Sequence, residues 1–204
     1  MPLSIIFNNT QELGKIPVEW KNAQVTVIYK KGNKAFAGNY RPVSLTSVVS
    51  KCMEKLIRKQ ITLHFKRNNL FSNKQFGFLT GRSTSLQLLS VLDNWTKELD
   101  DGNSVDCIYM DFQKCFDTVP HNRLILKLGA YGISEKYINW IKSFLIGRKQ
   151  RVALNNEFSN WIPVLSGNPQ GSVLGPLLFV IYINELPSLV KSCIYLFADD
   201  TKLF

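Results

Sequence analysis

What this 204-residue sequence lacks narrows its chemistry first. It has only two histidines, His64 and His121, far apart and each expected to be structural. Its four cysteines (Cys52, Cys107, Cys115 and Cys193) form no C-x-x-C pair, which argues against a disulfide framework or a zinc ribbon. Lying inside apolar segments, they read as reduced core thiols. No apolar run reaches membrane-spanning length, since the longest, over 173–183, is broken by Gly175 and Pro176. The first ten residues, MPLSIIFNNT, have no basic region and too short an apolar stretch for a signal peptide, so nucleus or cytoplasm is the expected location. Repeats and low-complexity tracts are missing too. Acidic side chains are scarce: 15 Asp and Glu against 25 Lys and Arg give a net charge of +10. Such an excess attracts polyanions, nucleic acid first among them, although a merely basic soluble protein has the same balance.

What is there suits a packed core. Apolar residues make up 45%, and 13 Phe, 7 Tyr and 4 Trp exclude a disordered chain. AQVTVIYKKGNK predicts a strand over 24–29 that ends in a basic turn. Over 48–64, Val49, Cys52, Met53, Leu56, Ile57 and Ile61 recur at helical spacing with Lys and Arg between them, predicting a helix with a basic outer face. A helix over 84–100, capped by Ser83 or Thr84, is expected to turn Leu88, Leu89, Leu92, Trp95 and Leu99 inward. A strand is expected over 105–110, a helix over 121–128, and another after the cap Ser134 with Tyr137, Ile138, Ile141, Phe144 and Leu145 inside. QRVALNN and FSNWIPV read as a hairpin turning at Asn155 and Asn156. GSVLGPLLFVIYINELPSLV is apolar nearly all round, hence a buried helix, and CIYLF is the last strand. This order implies an α+β architecture with antiparallel strands.

Three carboxylates stand at strand ends: Asp111 after CIYM, and Asp199 with Asp200 after CIYLFA. Two carboxylates ~4 Å apart repel by about 4 kcal/mol at an effective dielectric near 20. A divalent cation compensates such clusters, and hard oxygen ligands suit Mg²⁺. Paired Mg²⁺ ions would serve an in-line phosphoryl displacement, with a basic groove for the polyanionic substrate. The competing reading makes Asp199 and Asp200 a solvated hairpin turn. Such turns favour Gly or Asn, and here Ala and Thr flank the pair. SGNPQGSVLGP sets Gly167, Pro169, Gly171 and Gly175 around Gln170, either a loop that meets a ligand closely or an ordinary lead into a helix. Lys30, Lys31, Arg41 and Arg82 either meet a triphosphate or are solvated surface charges.

Five ordered blocks, YRPVSLTSVVSKCMEKLI, QFGFLTGRST, DFQKCFDTVPHNRLI, NPQGSVLGPLLFVIYINELP and LFADDTKLF, strongly resemble the reverse transcriptase domain of non-LTR (LINE-type) retrotransposons, the Jockey-like group in particular. The stretch IPVEWKNAQVTVIYKKGNK is similar to the lead into that family's fingers. The resemblance implies a right-hand polymerase with partial fingers over 1–104, a partial, ferredoxin-like palm over 105–204, and no thumb. It implies an RNA-directed DNA polymerase that uses two Mg²⁺ ions, Mn²⁺ being possible, with an RNA template, a DNA primer and deoxynucleoside triphosphates. Asp111, Asp199 and Asp200 match the catalytic aspartates, and the main-chain carbonyl of Phe112 would complete metal coordination. Phe116 matches the aromatic gate that rejects a 2′-OH. Gln170, with Gly171 beside it, would lie against the incoming nucleotide. Lys30 or Lys31 and Arg41 match the cations that clamp the triphosphate, while Arg82 would touch template backbone.

Two departures from the family pattern are local, and the largest is expected at the ends, where the match is truncated on both sides. Asn168 stands where Val is usual in GVPQG, and Leu79 and Thr80 where Arg or Lys is common in GFRxGR. The alternative expectation is an inactive fragment that only binds nucleic acid or has no function.

Overall fold

The computed structural model describes residues 2–204. Helix α1 (Pro2–Leu13) is followed by a 3₁₀ turn and strand β1 (Asn22–Tyr29), whose β-branched run ends at the basic turn, as expected. Strand β2 (Tyr40–Leu45) returns antiparallel, with Gln24 opposite Leu45 and Tyr29 opposite Tyr40. Helix α2 (Val48–Arg67) starts at Ser47, whose side chain accepts the Ser50 amide. The stripe Met53, Ile57, Ile61 and Phe65, repeating every four residues, is buried. Cys52 and Leu56, expected on that face, lie one step round the helix and are exposed. The core-thiol expectation therefore fails at Cys52 and holds fully only at Cys115, although all four cysteines are free.

Helix α3 (Thr84–Asp100) is capped by Ser83, which accepts the Leu86 amide at 3.2 Å. Its inward face is not the expected one. Leu88, Leu89, Leu92 and Leu99 are 45–63% exposed, whereas Gln87 and Val91 are buried and Trp95 is partly so. The helix carries two neighbouring stripes, and only the one holding Gln87, Val91 and Trp95 meets a partner. Strand β3 (Ile108–Asp111) is shorter than expected, because its partner strand supplies register for those four residues alone.

Helices α4 (Cys115–Thr118), α5 (His121–Ala130) and α6 (Glu135–Leu145) follow, then β4 (Lys149–Leu154), β5 (Glu157–Phe158) and β6 (Ile162–Pro163). Asn155 and Asn156 turn the β4–β5 hairpin with φ of 49° and 64°, the left-handed pair that a type I′ turn requires. Helix α7 (Gly175–Ile183) and strands β7 (Ile194–Phe197) and β8 (Asp200–Leu203) complete the chain.

Two sheets result. One runs β2-β1-β4-β5 with β6 beside β4, and its β1–β4 pair is parallel, so 149–163 joins the sheet begun by 22–45. The other is the antiparallel β3-β8-β7. The α+β class with an antiparallel sheet is borne out. Helix α7, apolar all round, shares one buried core with Ile57 and Phe65 of α2 and with Leu124, Leu128, Trp140 and Phe144 of α5 and α6. Trp140 and Phe144 stack with centroids 5.5 Å apart. Each such side chain contributes roughly 1.5–3 kcal/mol by leaving water.

Candidate active site

The three aspartates gather at one end of the antiparallel sheet. Asp111 of β3 stands directly opposite Asp200 of β8, and Phe197 of β7 is opposite Asp200 on the other side. Ala198 and Asp199 are therefore the two residues of a tight hairpin. The flanking Ala and Thr do not keep the pair out of a turn, contrary to expectation: Ala198 itself takes a positive φ of 56°. Glycine or asparagine would reach that angle more easily, so the strain is held by surrounding contacts.

Directly opposite residues share a sheet face with Cβ atoms about 4.5–5.5 Å apart, where like charges destabilise. Asp111 and Asp200 are exposed and Asp199 half-buried. The Cys115 thiol is close to Asp199; burial first, then that neighbouring carboxylate, push its pKa up to about 12. Among the described residues no three acidic, histidine or cysteine side chains form a closed metal-binding group. The donor set nevertheless fits Mg²⁺, which is commonly held by one or two carboxylates together with substrate phosphates and water, not by an all-protein cage.

A second region adjoins this end. Lys30, Arg41, Lys114, Asp117, Arg148 and Gln170 line a cavity of about 780 Å³. Two loops are stitched together on its wall. Gln170 donates from Nε2 to Asp117 Oδ1 at 2.8 Å, and its carbonyl accepts the Ser44 amide of β2 at 2.8 Å. The Gly167 amide donates to Val119 O and the Asn168 amide to Phe116 O. Gly171, at φ 104°, admits this approach, since a Cβ there would come within 2.7 Å of Ser44 O.

The start of α7 is fixed by Glu54, a fully buried residue of α2 whose Oε2 accepts the Val173 and Leu174 amides at 2.7 and 3.1 Å. Phe116 packs on Phe179 with centroids 4.4 Å apart and meets Phe78 edge-on at 6.0 Å. Arg148 is buried, its guanidinium over the Phe144 ring, and that burial brings its pKa down to about 10.

Lys30, Arg41 and Gln170 are thus brought together, and Lys31 and Gly171 flank them without lining the cavity. Phe112 follows Asp111 with its side chain partly exposed. Arg82 is elsewhere. It donates to Asn73 O at 2.8 Å, covers the Phe76 ring, and joins Lys55, Arg58, Lys59 and Lys66 around a groove of about 430 Å³ with no acidic lining residue. Phe78, at φ 58°, and Phe71 are its aromatic lining. Glu54, Asp117 and Gln75 were not singled out by sequence reasoning. Glu54 had a signal, a lone acid at helical spacing with Ser50, Ile57 and Ile61. Asp117 and Gln75 had none.

The family model for reverse transcriptase (RNA-dependent DNA polymerase) matches residues 28–204. The chain is 33% identical over 204 residues to the probable RNA-directed DNA polymerase from transposon X-element of Drosophila melanogaster, covering 97% of this chain and 22% of that protein. It is 31% identical over 187 residues to the RNA-directed DNA polymerase from mobile element jockey of the same fly, covering 91% of this chain and 20% of that protein. The chain thus spans about a fifth of these curated relatives. Among solved structures, telomerase from Candida tropicalis in complex with a fragment of telomeric RNA matches with a TM-score of 0.62 at 13% identity, covering 99% of this chain and 39% of that one. That likeness shows a shared fold.

Proposed function

Because the chain belongs to the reverse transcriptase family and its relatives are non-LTR retrotransposon polymerases, we propose that it serves RNA-directed DNA synthesis, adding deoxynucleotides to a primer 3′-OH on an RNA template. Enzymes of this family generally use divalent metal ions. The observation that carries the reading is Asp111 facing Asp200, with Asp199 on the adjoining turn. These three carboxylates, with the main-chain carbonyl of Phe112, would hold two Mg²⁺ ions, or Mn²⁺ in their place. When bound, the ions supply charge stabilisation for the attacking and leaving oxygens.

The chain's own residues supply the rest. Lys30, Lys31 and Arg41 meet the triphosphate, the first and last of them from the cavity wall. Gln170, held by Asp117, sits against the nucleotide, with Gly171 letting the backbone approach. Phe116, braced by Phe179, floors the sugar and selects against a 2′-OH. Arg82 and the cations of α2 take template phosphates in the acid-free groove. Residues up to about 104 serve as fingers and those after as palm. Nucleus or cytoplasm is the setting; no helix among the described residues is long and apolar enough to cross a membrane.

The test is incorporation of labelled deoxythymidine triphosphate on a poly(rA)–oligo(dT) template by the purified chain with Mg²⁺ or Mn²⁺, beside Asp199→Asn/Asp200→Asn. Metal-dependent incorporation lost in that variant is the expected result. Equal signal in both overturns the reading. A second reading, nucleic-acid binding without catalysis, is favoured by the groove, whose cations are separate from the aspartates; it expects RNA binding untouched by the double variant.

A further inference from the structure

The strained turn that carries Asp199 is not held by its own sheet alone. Residues 74–77 run parallel to β7: the Phe76 amide donates to Leu196 O at 2.8 Å and the Leu196 amide to Lys74 O at 2.9 Å, forming an isolated bridge between Gln75 and Leu196. This brings the Gln75 side chain, fully buried, to the turn. Its Oε1 accepts the Ala198 amide at 3.0 Å and the Gly77 amide at 2.7 Å. Both partners are donors, so only the carbonyl oxygen can face them and the amide's orientation is fixed. Its Nε2 is buried with no hydrogen-bond partner among the described residues, a cost that ordinary core packing gives no reason to keep. Gly77 completes the contact, because a Cβ there would stand 2.2 Å from the Ala198 nitrogen.

We propose that Gln75 is a positioning residue for nucleotidyl transfer: by gripping the Ala198 amide it holds the left-handed turn and so fixes where the Asp199 carboxylate stands beside Asp111 and Asp200. The proposal rests on the reading of these aspartates as metal-holding groups. Gln75 touches neither substrate nor metal. It couples the loop that leads into the basic groove to the catalytic turn, through one side-chain oxygen.

The experiment compares the full chain with Gln75→Met, which keeps the volume without an acceptor, Gln75→Asn, whose shorter amide falls short of Ala198, and Phe76→Leu, which loosens the same segment without touching the turn. Amide hydrogen exchange at Ala198 and Mn²⁺ binding are measured on all four. The expected result is Ala198 exchange at least tenfold faster and Mn²⁺ affinity at least tenfold weaker in both Gln75 variants, at a Tm no lower than that of Phe76→Leu, with Phe76→Leu near wild type in both readouts. Unchanged exchange or affinity in a folded Gln75 variant, or equal losses in Phe76→Leu, overturns the proposal. A wild-type chain that binds no Mn²⁺ defeats the reading of the aspartates first, and the positioning role falls with it.

Discussion

Asp111 and Asp200 face each other across the β3–β8 pair with no cationic side chain bridging them in the described structure. Opposed like charges cost roughly 0.2–1 kcal/mol on a sheet face. Asp111→Asn should therefore raise Tm in chelator by about 1–2 °C, given about 2–4 °C per kcal/mol for a chain of this size. Added Mg²⁺ should reverse the order, stabilising the native chain by mass action while leaving the variant nearly unmoved. Thermal melts with and without Mg²⁺ check this, and a variant that melts lower in chelator sinks the account of opposed charge.

A buried amide gives a second stability prediction. Asn168 is 3% exposed, and neither its Oδ1 nor its Nδ2 has a hydrogen-bond partner among the described residues. Leaving such groups unpaired costs about 1–3 kcal/mol. Asn168→Val, the residue usual at this place in the family pattern, should stabilise the chain by about 2 kcal/mol and raise Tm by about 4–8 °C. Urea unfolding measures it; an unchanged midpoint would mean that the amide is satisfied in solution.

Much of the fold was legible because local signals and tertiary packing agreed. Asn155 and Asn156 take the positive φ angles their sequence suits, α7 is apolar all round and buried, and α6 buries Ile141, Phe144 and Leu145 as its spacing required. The failures share a cause: the deciding partner lies far away in sequence. On α3 the leucine stripe is the more apolar, yet the stripe of Gln87, Val91 and Trp95 is the buried one, because Phe76, Tyr195 and Phe204 cluster with it and Lys202 of β8 donates to Gln87 Oε1. Ala198 carries no turn signal of its own, since the contacts that hold it come from Gln75 and Gly77. Glu54 reads as one charge in a basic helix until the Val173 and Leu174 amides are seen to end on it.

The pairing of Asp117 with Gln170 should be energetically visible. A hydrogen bond to a carboxylate contributes about 1.5–3 kcal/mol when partly buried. Asp117→Ala and Gln170→Ala should each raise the KM for deoxynucleotide, and the double variant should cost less than their sum by about 1–2 kcal/mol. Steady-state kinetics on the four proteins test it. Full additivity would mean that Asp117 does not orient Gln170.

Cys115 should be the slow thiol of the four. Its pKa is raised from 9.0 to about 12, by burial and by Asp199, and the thiolate is the nucleophile. At pH 8 an alkylating reagent should label the exposed Cys52 well before Cys115. The same shift acts on stability. Because the folded value lies above the unfolded one, the contribution of the protonated thiol is whole below pH 9 and is lost as pH rises towards about 12. Cys115→Ala should therefore lose less Tm between pH 9 and 11 than the native chain. Early labelling of Cys115, read by peptide mass, would contradict the burial.

On the proposed reading, RNA binding along the groove of α2 is separable from chemistry at the aspartates. Lys55, Arg58, Lys59, Lys66 and Arg82 surround it with no acidic side chain, and Phe78, 47% exposed, offers a ring on which an unpaired base can stack. Phosphate contacts release counterions, so log K should fall linearly with log salt, by about 0.7 per contact on a single strand. Replacing Lys55, Arg58 and Lys59 with glutamine should weaken binding of single-stranded RNA and lower the slope by about 2 in filter-binding titrations across salt. All three side chains lie at intermediate or full exposure, so the fold should tolerate the change. The effect should be the same for RNAs of different sequence, because phosphates carry the contact and bases are not read. Asp199→Asn/Asp200→Asn should keep the native slope, since those residues stand outside the groove lining. If the triple variant kept the full slope, RNA would be bound by cations elsewhere than along α2.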